Sequence, residues 1–272
     1  MDKEKIASLH QKFKEFVSGY YGKDSYTDKN VKIKEGHTFR VCKHIIGIAE
    51  SLNLEQEDAY IAETAALFHD IGRFEQLRRY KTFNDRKSVN HPELGVKVLE
   101  QENLLAGLTA AEQEIIMKTV KFHNVRDLPT GESEAVIFFL KLLKDADKLD
   151  ILQVLTNYYS SADYGSNPAL ELDLPNAKKL SEAVVKEILA SKPVDASNVK
   201  GPEDFRILQL SWVFDIYSDF ALTYLKKHRF VDKILATFPP NEIPGIEEIR
   251  QHVESHLNSR LQNKITLKLE TE

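Results

Sequence analysis

The stretch Ala65-Ala66-Leu67-Phe68-His69-Asp70-Ile71-Gly72-Arg73 decides the fold of this chain. An apolar helical run ends there in an imidazole and a carboxylate, two side chains that commonly bind metal ions. A lone His-Asp pair is more often a helix end with a solvated carboxylate. Burying both groups behind the apolar run is costly unless the charge is paired or bound to a metal. The stretch therefore predicts a helix that ends at a metal site, provided that other residues complete the site.

The composition limits the classes of function. The chain has 272 residues, of which 42% are hydrophobic, so it can bury a large core. Its formal net charge of −5 argues against bulk nucleic-acid binding through phosphate neutralisation. Cys42 is the only cysteine, so a reducing compartment fits best. The amino terminus lacks the apolar core of a secretory signal, and no apolar run could span a bilayer. We expect a cytoplasmic protein outside membranes.

The segments before the His-Asp pair are predicted to be helical. Residues 1–22 carry apolar side chains at helical spacing, and residues 36–52 place His37 and His44 on one helix face. Seven residues separate these histidines, which is roughly 10 Å along a helix, so both cannot bind one ion. We expect His37, in the first turn, to be a ligand and His44 to be a packing or supporting residue.

A polar, basic segment is predicted to follow the pair. Gly72 favours a left-handed helix end, and the segment 73–90 is then expected to be a loop. Guanidinium groups bind phosphate oxygens in a bidentate manner, so the loop could clamp a phosphate. The alternative is a solvated basic loop. The candidate substrate-binding residues are Arg73, Arg78, Arg79 and Lys81.

Two further histidines precede the most apolar helix. His91 stands at a helix start with Pro92, and His123 follows Ile116 and Val120 on an inward helix face. His91 thus lies at the edge of a helix, where a pocket could reach it. A lone histidine in the position of His123 is usually a core residue with satisfied hydrogen bonds.

The helix predicted over 134–155 is apolar on nearly every side and is expected to be central. Three aspartates, Asp145, Asp147 and Asp150, interrupt it, and Asp147 lies on a stripe with Leu140 and Leu143 that faces the interior. Backbone donors or an arginine could hold an inward aspartate. Metal coordination is the simpler explanation, because it accounts for the inward position of Asp147 together with the buried His69-Asp70 pair.

The rest of the chain is expected to be a long loop over 158–175, which could be a lid, followed by helices over 176–191 and 203–236. We assign the aromatic residues of the second helix to the core, and we expect His252 and His256 at the surface. Apolar residues at near-heptad spacing over 244–264 suit a docking or homodimer helix. The chain thus divides into a helical core over 1–156 and C-terminal helices over 157–272 that pack on it.

The order His37, His69-Asp70, His91, His123, Asp147 resembles the HD-domain superfamily of metal-dependent phosphohydrolases, which is named for the His-Asp pair. The resemblance covers roughly residues 30–155 and includes Phe68-His69-Asp70-Ile71-Gly72-Arg73 and Asp145-Ala146-Asp147-Lys148-Leu149-Asp150. It implies an all-α, HD-domain-like bundle with His37, His69, Asp70 and Asp147 as ligands. His91 and His123 match the six-ligand variant, in which Asp70 is expected to bridge two metals.

The chemistry that follows is hydrolysis of a nucleotide or another small phosphate ester by a metal-activated water. Imidazole and carboxylate ligands suit one or two divalent ions of Mn, Fe, Ni, Co or Zn. Paired ions generate hydroxide near neutral pH and clamp the phosphoryl oxygens. Beside Asp70, Lys148 or Asp150 could orient water or substrate. A di-iron oxygenase of the same superfamily and a noncatalytic metal-bound sensing module are the alternatives.

Overall fold

The computed structural model of the chain describes residues 1–161, 174–175, 179–238 and 243–269, with side chains as far as residue 263. Most of the predicted loop over 158–175 and the start of the predicted helix over 176–191 lie outside these residues. The described chain is helical without strands, which confirms the all-α class. No helix among the described residues is both long enough and apolar enough to cross a bilayer.

The chain forms two compact units, Met1–Ile151 and Leu152–Glu272. The first unit is built from α1 (Lys3–Ser18), α2 (Ser25–Ser51), α3 (Gln56–Phe68), α4 (Ile71–Tyr80), α5 (His91–Gln101), α6 (Ala110–Phe122) and α7 (Glu134–Tyr159), and the unit boundary falls within α7. Helix α3 packs against α1, α2 and α6, whereas α5 packs against α4 and α6. The core of this first unit includes the fully buried side chains of Phe13, Phe68, Phe74, Ile116 and Leu140.

Helix α2 begins eleven residues before the predicted start at residue 36, at Ser25. The Asp24 carboxylate accepts a hydrogen bond of 2.7 Å from the backbone N–H of Thr27 and caps the helix. Buried Asn30 and Val31 then extend the inward stripe toward His37. His37 therefore lies in the middle of the helix, and its predicted place in the first turn was wrong.

The first half of the predicted loop over 73–90 is also helical. Ile71, Phe74 and Leu77 are buried at every third position of α4, which is an amphipathic pattern that the many charged residues of this segment obscure. Lys81 ends the helix with a left-handed φ of 53°. The loop prediction holds only for the segment between α4 and α5.

Gly72 lies inside α4, so its predicted role as a left-handed helix end was wrong. The glycine serves the close approach of α4 to α5. A Cβ at this position would lie 2.3 Å from the carbonyl oxygen of His91 and 2.6 Å from the backbone nitrogen of Gly95. The absence of a side chain lets the two helices touch through their backbones beside Asp70.

The second unit contains α8 (Glu182–Leu189), α9 (Pro202–Ser211), α10 (Asp219–Lys227), α11 (Phe230–Leu235) and α12 (Ile246–Leu269). The single helix predicted over 203–236 was therefore wrong. Ser218 caps α10 by accepting from the N–H of Ala221, and Arg229 takes a left-handed φ of 55° before α11. Both features end one helix and start the next. Helix α12 covers the predicted tail helix, and its dimer role stays a prediction.

The aromatic residues that we assigned to the core are only partly buried, so that prediction was wrong. They are Trp212, Phe214, Tyr217, Phe220 and Tyr224. The breaks between α9 and α11 remove the single helical register that would have placed them on one stripe. Aliphatic side chains form the core of this unit instead, among them Ile207, Leu210, Leu222, Leu235, Ile249 and Val253.

The two histidines of α12 are partly buried and do not lie at the surface as predicted. The His252 Nε2 lies 2.9 Å from the Ser191 hydroxyl oxygen. The His256 ring meets the Phe214 ring edge to face, with 4.7 Å between their centroids. Packing within the second unit therefore explains the partial burial of His252 and His256.

Candidate metal centre

His69 and Asp70 lie at the junction between α3 and α4. His69 directly follows α3, and its Nδ1 donates to the carbonyl oxygen of Ala66 at 2.7 Å. Asp70 directly precedes α4. His69 is completely buried and Asp70 is 3% exposed. The apolar run of α3 therefore carries an imidazole and a carboxylate into the interior.

Asp70 joins two groups of potential ligands, one at each carboxylate oxygen. Its Oδ2 lies 3.5 Å from the Nε2 atoms of both His37 and His69, which are 3.2 Å apart. Its Oδ1 lies 3.3 Å from His91 Nε2 and 3.7 Å from His123 Nε2, which are 3.1 Å apart. In each group the ligand atoms lie within 4.8 Å of one another. Each group could hold a metal ion, and both groups share one carboxylate.

Asp147 of α7 adds a further oxygen to the first group. Its Oδ1 lies 3.1 Å from His37 Nε2 and 3.6 Å from His69 Nε2. This oxygen is buried and accepts no hydrogen bond of normal geometry from the described residues. A buried carboxylate oxygen without a partner is costly, so its position fits that of a metal ligand.

The four imidazoles all present the same nitrogen to the centre. Each uses Nδ1 to donate a hydrogen bond to an oxygen, which leaves Nε2 with its lone pair in the neutral ring. Facing lone pairs about 3 Å apart repel each other unless a cation lies between them. The donor set therefore fits a divalent ion in each group. The acceptors are Asp150 for His37 (2.6 Å), Ala66 O for His69 (2.7 Å), Asp85 for His91 (2.6 Å) and Val120 O for His123 (2.7 Å).

The centre is rich in negative charge. Burial raises the pKa of the Asp70 carboxyl, but nearby cations, Lys34 above all, hold that pKa well below its usual range. Burial likewise opposes ionisation of Asp147, whose pKa the neighbouring imidazoles hold well below normal. Burial and the nearby Lys34 lower the pKa of His37, but the adjacent carboxylates of Asp147, Asp150 and Asp70 outweigh them and raise the pKa to about 10, so a proton on Nε2 takes the place of the cation when no metal ion is bound. Burial lowers the pKa of His91 to about 4. The buried carboxylates thus demand positive charge, which divalent ions supply.

In each group, a carboxylate contacts the Nδ1 atom of one histidine, on the side of the ring that faces away from the centre. Asp150 contacts His37 Nδ1 and accepts from Arg40 Nε at 2.6 Å and from Arg40 Nη2 at 3.1 Å. Asp85 contacts His91 Nδ1, and its other oxygen accepts from Arg73 at 2.8 Å. Asp150 thus lies on the side of the His37 ring opposite Nε2. The supporting roles of Asp85 and Arg40 could not be predicted, because nothing in the local sequence pattern ties either residue to a distant partner.

The predicted phosphate-binding cations do not all reach this centre. Arg73 does, with its Nε 3.5 Å from Asp70 Oδ1. Arg78 and Arg79 instead pair with a glutamate of α4, and Lys81 pairs with the aspartate that caps α2. The role of these three residues in substrate binding stays a prediction.

Lys34 is a further residue of the centre that was not predicted from the sequence. Its Nζ lies 2.6 Å from Asp70 Oδ2, which is the shortest contact to this carboxylate in the centre. Lys34 precedes His37 by three residues and so lies one turn earlier on the same face of α2. That spacing could have identified it, had the helix been predicted to start before residue 36.

Four histidines and two aspartates thus lie together inside an all-α unit. This arrangement is typical of helical domains that bind metal ions. Residues 35–152 match the family model of the HD domain, so this part of the chain is similar to HD domains. This match confirms the resemblance drawn from the sequence order. Searches of curated proteins and of solved structures gave no match to the chain.

The supporting carboxylates allow a paired test of the two groups. We expect Asp150→Asn to weaken metal binding at the His37 group by about tenfold to a hundredfold, because an amide no longer fixes the Nδ1 proton. Asp85→Asn is expected to weaken the His91 group to a similar extent. Titration calorimetry with Mn²⁺, combined with the bound-metal stoichiometry, checks both variants. Unchanged affinity in both would show that these carboxylates do not orient the ligands.

Proposed function

We propose that this protein is a metal-dependent phosphohydrolase that cleaves a nucleotide or another small phosphate ester. The observation that carries the proposal is the position of Asp70, whose two oxygens face two separate histidine pairs. One shared carboxylate would hold two ions near each other, which is the arrangement that paired-metal phosphoryl transfer uses. The match of residues 35–152 to the HD domain supports the same activity, because the HD-domain superfamily that the sequence resembles consists of metal-dependent phosphohydrolases.

The ligands suggest how the ions would be held. His37, His69, Asp70 and Asp147 would hold the first, and His91, His123 and Asp70 would hold the second, with Mn, Fe, Co, Ni or Zn as candidates. Bound ions of this kind supply a water of lowered pKa and polarise a phosphoryl oxygen. The second group has fewer protein ligands, so it would leave more positions for substrate.

The more exposed side chains of the centre indicate where substrate enters. Lys34 and Asp147 are each 17% exposed and Arg73 is 15% exposed, whereas the four histidines are at most 5% exposed. A phosphate that approaches from this side meets Arg73, whose guanidinium is fixed by Asp85 and can neutralise it.

The two remaining catalytic candidates receive different roles. Asp150 binds His37 and Arg40 and so acts by positioning His37. Lys148 is buried on α7, next to Asp147 in the sequence, and remains our candidate for orienting substrate.

The test is phosphate release by the metal-loaded protein. We expect EDTA-treated protein to be inactive, and we expect Mn²⁺ or Co²⁺ to restore release from a panel of phosphomonoesters, phosphodiesters and nucleotides under anaerobic conditions. Malachite green measures the free phosphate, with a phosphatase added to detect nucleotide products. Inactivity across the panel at full metal occupancy would contradict the proposal.

The same samples distinguish the alternatives. A di-iron oxygenase would contain iron as purified and would consume oxygen with its substrate. A noncatalytic sensing module would retain its metal without turnover of any substrate.

A further inference from the structure

Lys34 occupies an unusual position for a lysine, directly against the carboxylate that both histidine groups share. Its Nζ lies 2.6 Å from Asp70 Oδ2 and 5.5 Å from the centroid of the Phe83 ring. Among the described residues, Asp70 is its one hydrogen-bond acceptor. The ammonium group is therefore held by a single carboxylate and rests on an aromatic face.

Arg73 is the contrasting cation on the other side of Asp70. Its guanidinium lies 5.9 Å from the same Phe83 ring and is tied to Asp85 at 2.8 Å and to Gln76 at 2.9 Å. These bonds fix Arg73 independently of Asp70. Lys34 has no comparable anchor, and its flexible stem allows the ammonium group to move.

Lys34 and a metal ion would compete for the same oxygen. An ion bound to His37 and His69 needs Asp70 Oδ2, because this oxygen lies 3.5 Å from both Nε2 atoms. The ion and the ammonium carry like charges and repel each other at such short range. Metal binding at this group would therefore displace the ammonium group of Lys34 from Asp70.

We propose that Lys34 is a phosphate-binding residue of this centre that metal binding releases from Asp70. This inference rests on the proposed phosphohydrolase function. Once released, the ammonium would stay beside the exposed side of the centre, because Nζ already lies over the Phe83 ring and the Lys34 side chain is partly exposed there. A phosphate that reaches the centre would then lie between Lys34 and Arg73, with both cations above the same aromatic ring.

The experiment compares Lys34→Met with Lys32→Met, a control at an exposed lysine of the same helix. Titration calorimetry measures Mn²⁺ affinity of the metal-free protein and inorganic phosphate affinity of the Mn²⁺-loaded protein. We expect Lys34→Met to bind Mn²⁺ about tenfold more tightly and phosphate about tenfold more weakly, since a competing cation and a charge-assisted donor are both lost. Lys34→Arg should retain most of the phosphate affinity, and Lys32→Met should match the wild type.

The opposite signs of the two effects separate the proposal from a structural role. Unchanged phosphate affinity in Lys34→Met would overturn it, as would weaker binding of Mn²⁺. A loss of both affinities together with a lower melting temperature would also overturn it, because Lys34 would then only stabilise the fold.

The result remains separable from the proposed hydrolysis. If the Mn²⁺-loaded wild type binds phosphate through Lys34 but releases none from any ester, hydrolysis is refuted and the binding role of Lys34 stands. If hydrolysis occurs and Lys34→Met leaves both affinities and the KM unchanged, the hydrolase stands and the role of Lys34 is refuted.

Discussion

Asp70→Ala is expected to abolish metal binding at both histidine groups, because this one residue supplies a carboxylate oxygen to each of them. Removing a shared charged ligand costs each ion its strongest electrostatic partner. We expect the bound metal to fall to a trace in elemental analysis, and phosphate release to fall with it. Asp70→Asn should lose nearly as much, because the amide keeps the shape of the side chain without its charge.

The metal-free Asp70 variants are also expected to be less stable than the metal-free wild type. Lys34 loses its hydrogen-bond acceptor, and the lowered pKa of the Asp70 carboxyl means that its ionised form stabilises the fold at neutral pH. His44→Ala is the control, since His44 belongs to neither potential metal group of the described residues, and it should keep its metal. An Asp70→Ala protein that retains the wild-type metal stoichiometry would show that the ligands have been wrongly assigned.

The clustering of the candidate ligands could be predicted in large part from the sequence, because the local pattern carries much of the necessary information. His69 and Asp70 end an apolar helix, His123 follows two inward residues of α6, and Asp147 interrupts an apolar stripe of α7. In each case a polar side chain stands where helical periodicity demands burial. The structure brings these residues together, and the order of the motifs pointed to the family.

The residues that hold the ligands could not be predicted in the same way. Lys34 contacts Asp70 across 36 positions of the chain, and Asp150 contacts His37 across 113 positions. Such pairs depend on how helices cross, which periodicity does not specify. The charge pattern was also a poor guide to structure, because the cations of α4 suggested a loop and a common phosphate-binding site. Two of them, Arg78 and Arg79, form ion pairs within their own helix.

The breaks in the second unit were hidden for a related reason. Residues 203–236 have an apolar content typical of one helix, whereas a serine cap and a left-handed residue divide them. Ser218 followed by Asp219 is a helix-start signal that composition averaged over a long window conceals.

Gly72→Ala is expected to weaken metal binding at the group formed by His91, His123 and Asp70. The cause is a backbone displacement, since none of these ligands is replaced. The new Cβ would lie 2.3 Å from the carbonyl oxygen of His91 and 2.6 Å from the backbone nitrogen of Gly95, and neither atom can rotate away. Helices α4 and α5 must therefore separate, which moves His91 away from Asp70. The strain should lower the free energy of unfolding by about 1–3 kcal/mol, although alanine by itself favours a helix interior by about 1 kcal/mol.

The metal content should show where the damage lies. We expect Gly72→Ala to lose the metal held by His91 and His123 and to keep most of the metal held by His37 and Asp147. Gly19→Ala is the matched control, because Gly19 has a right-handed φ of −68° and its Cβ would meet its nearest neighbour at an ordinary 3.4 Å. Urea unfolding and metal titration check both variants. Equal loss of metal from the two groups, or a Gly72→Ala protein as stable as the control, would show that the contact between α4 and α5 does not position His91.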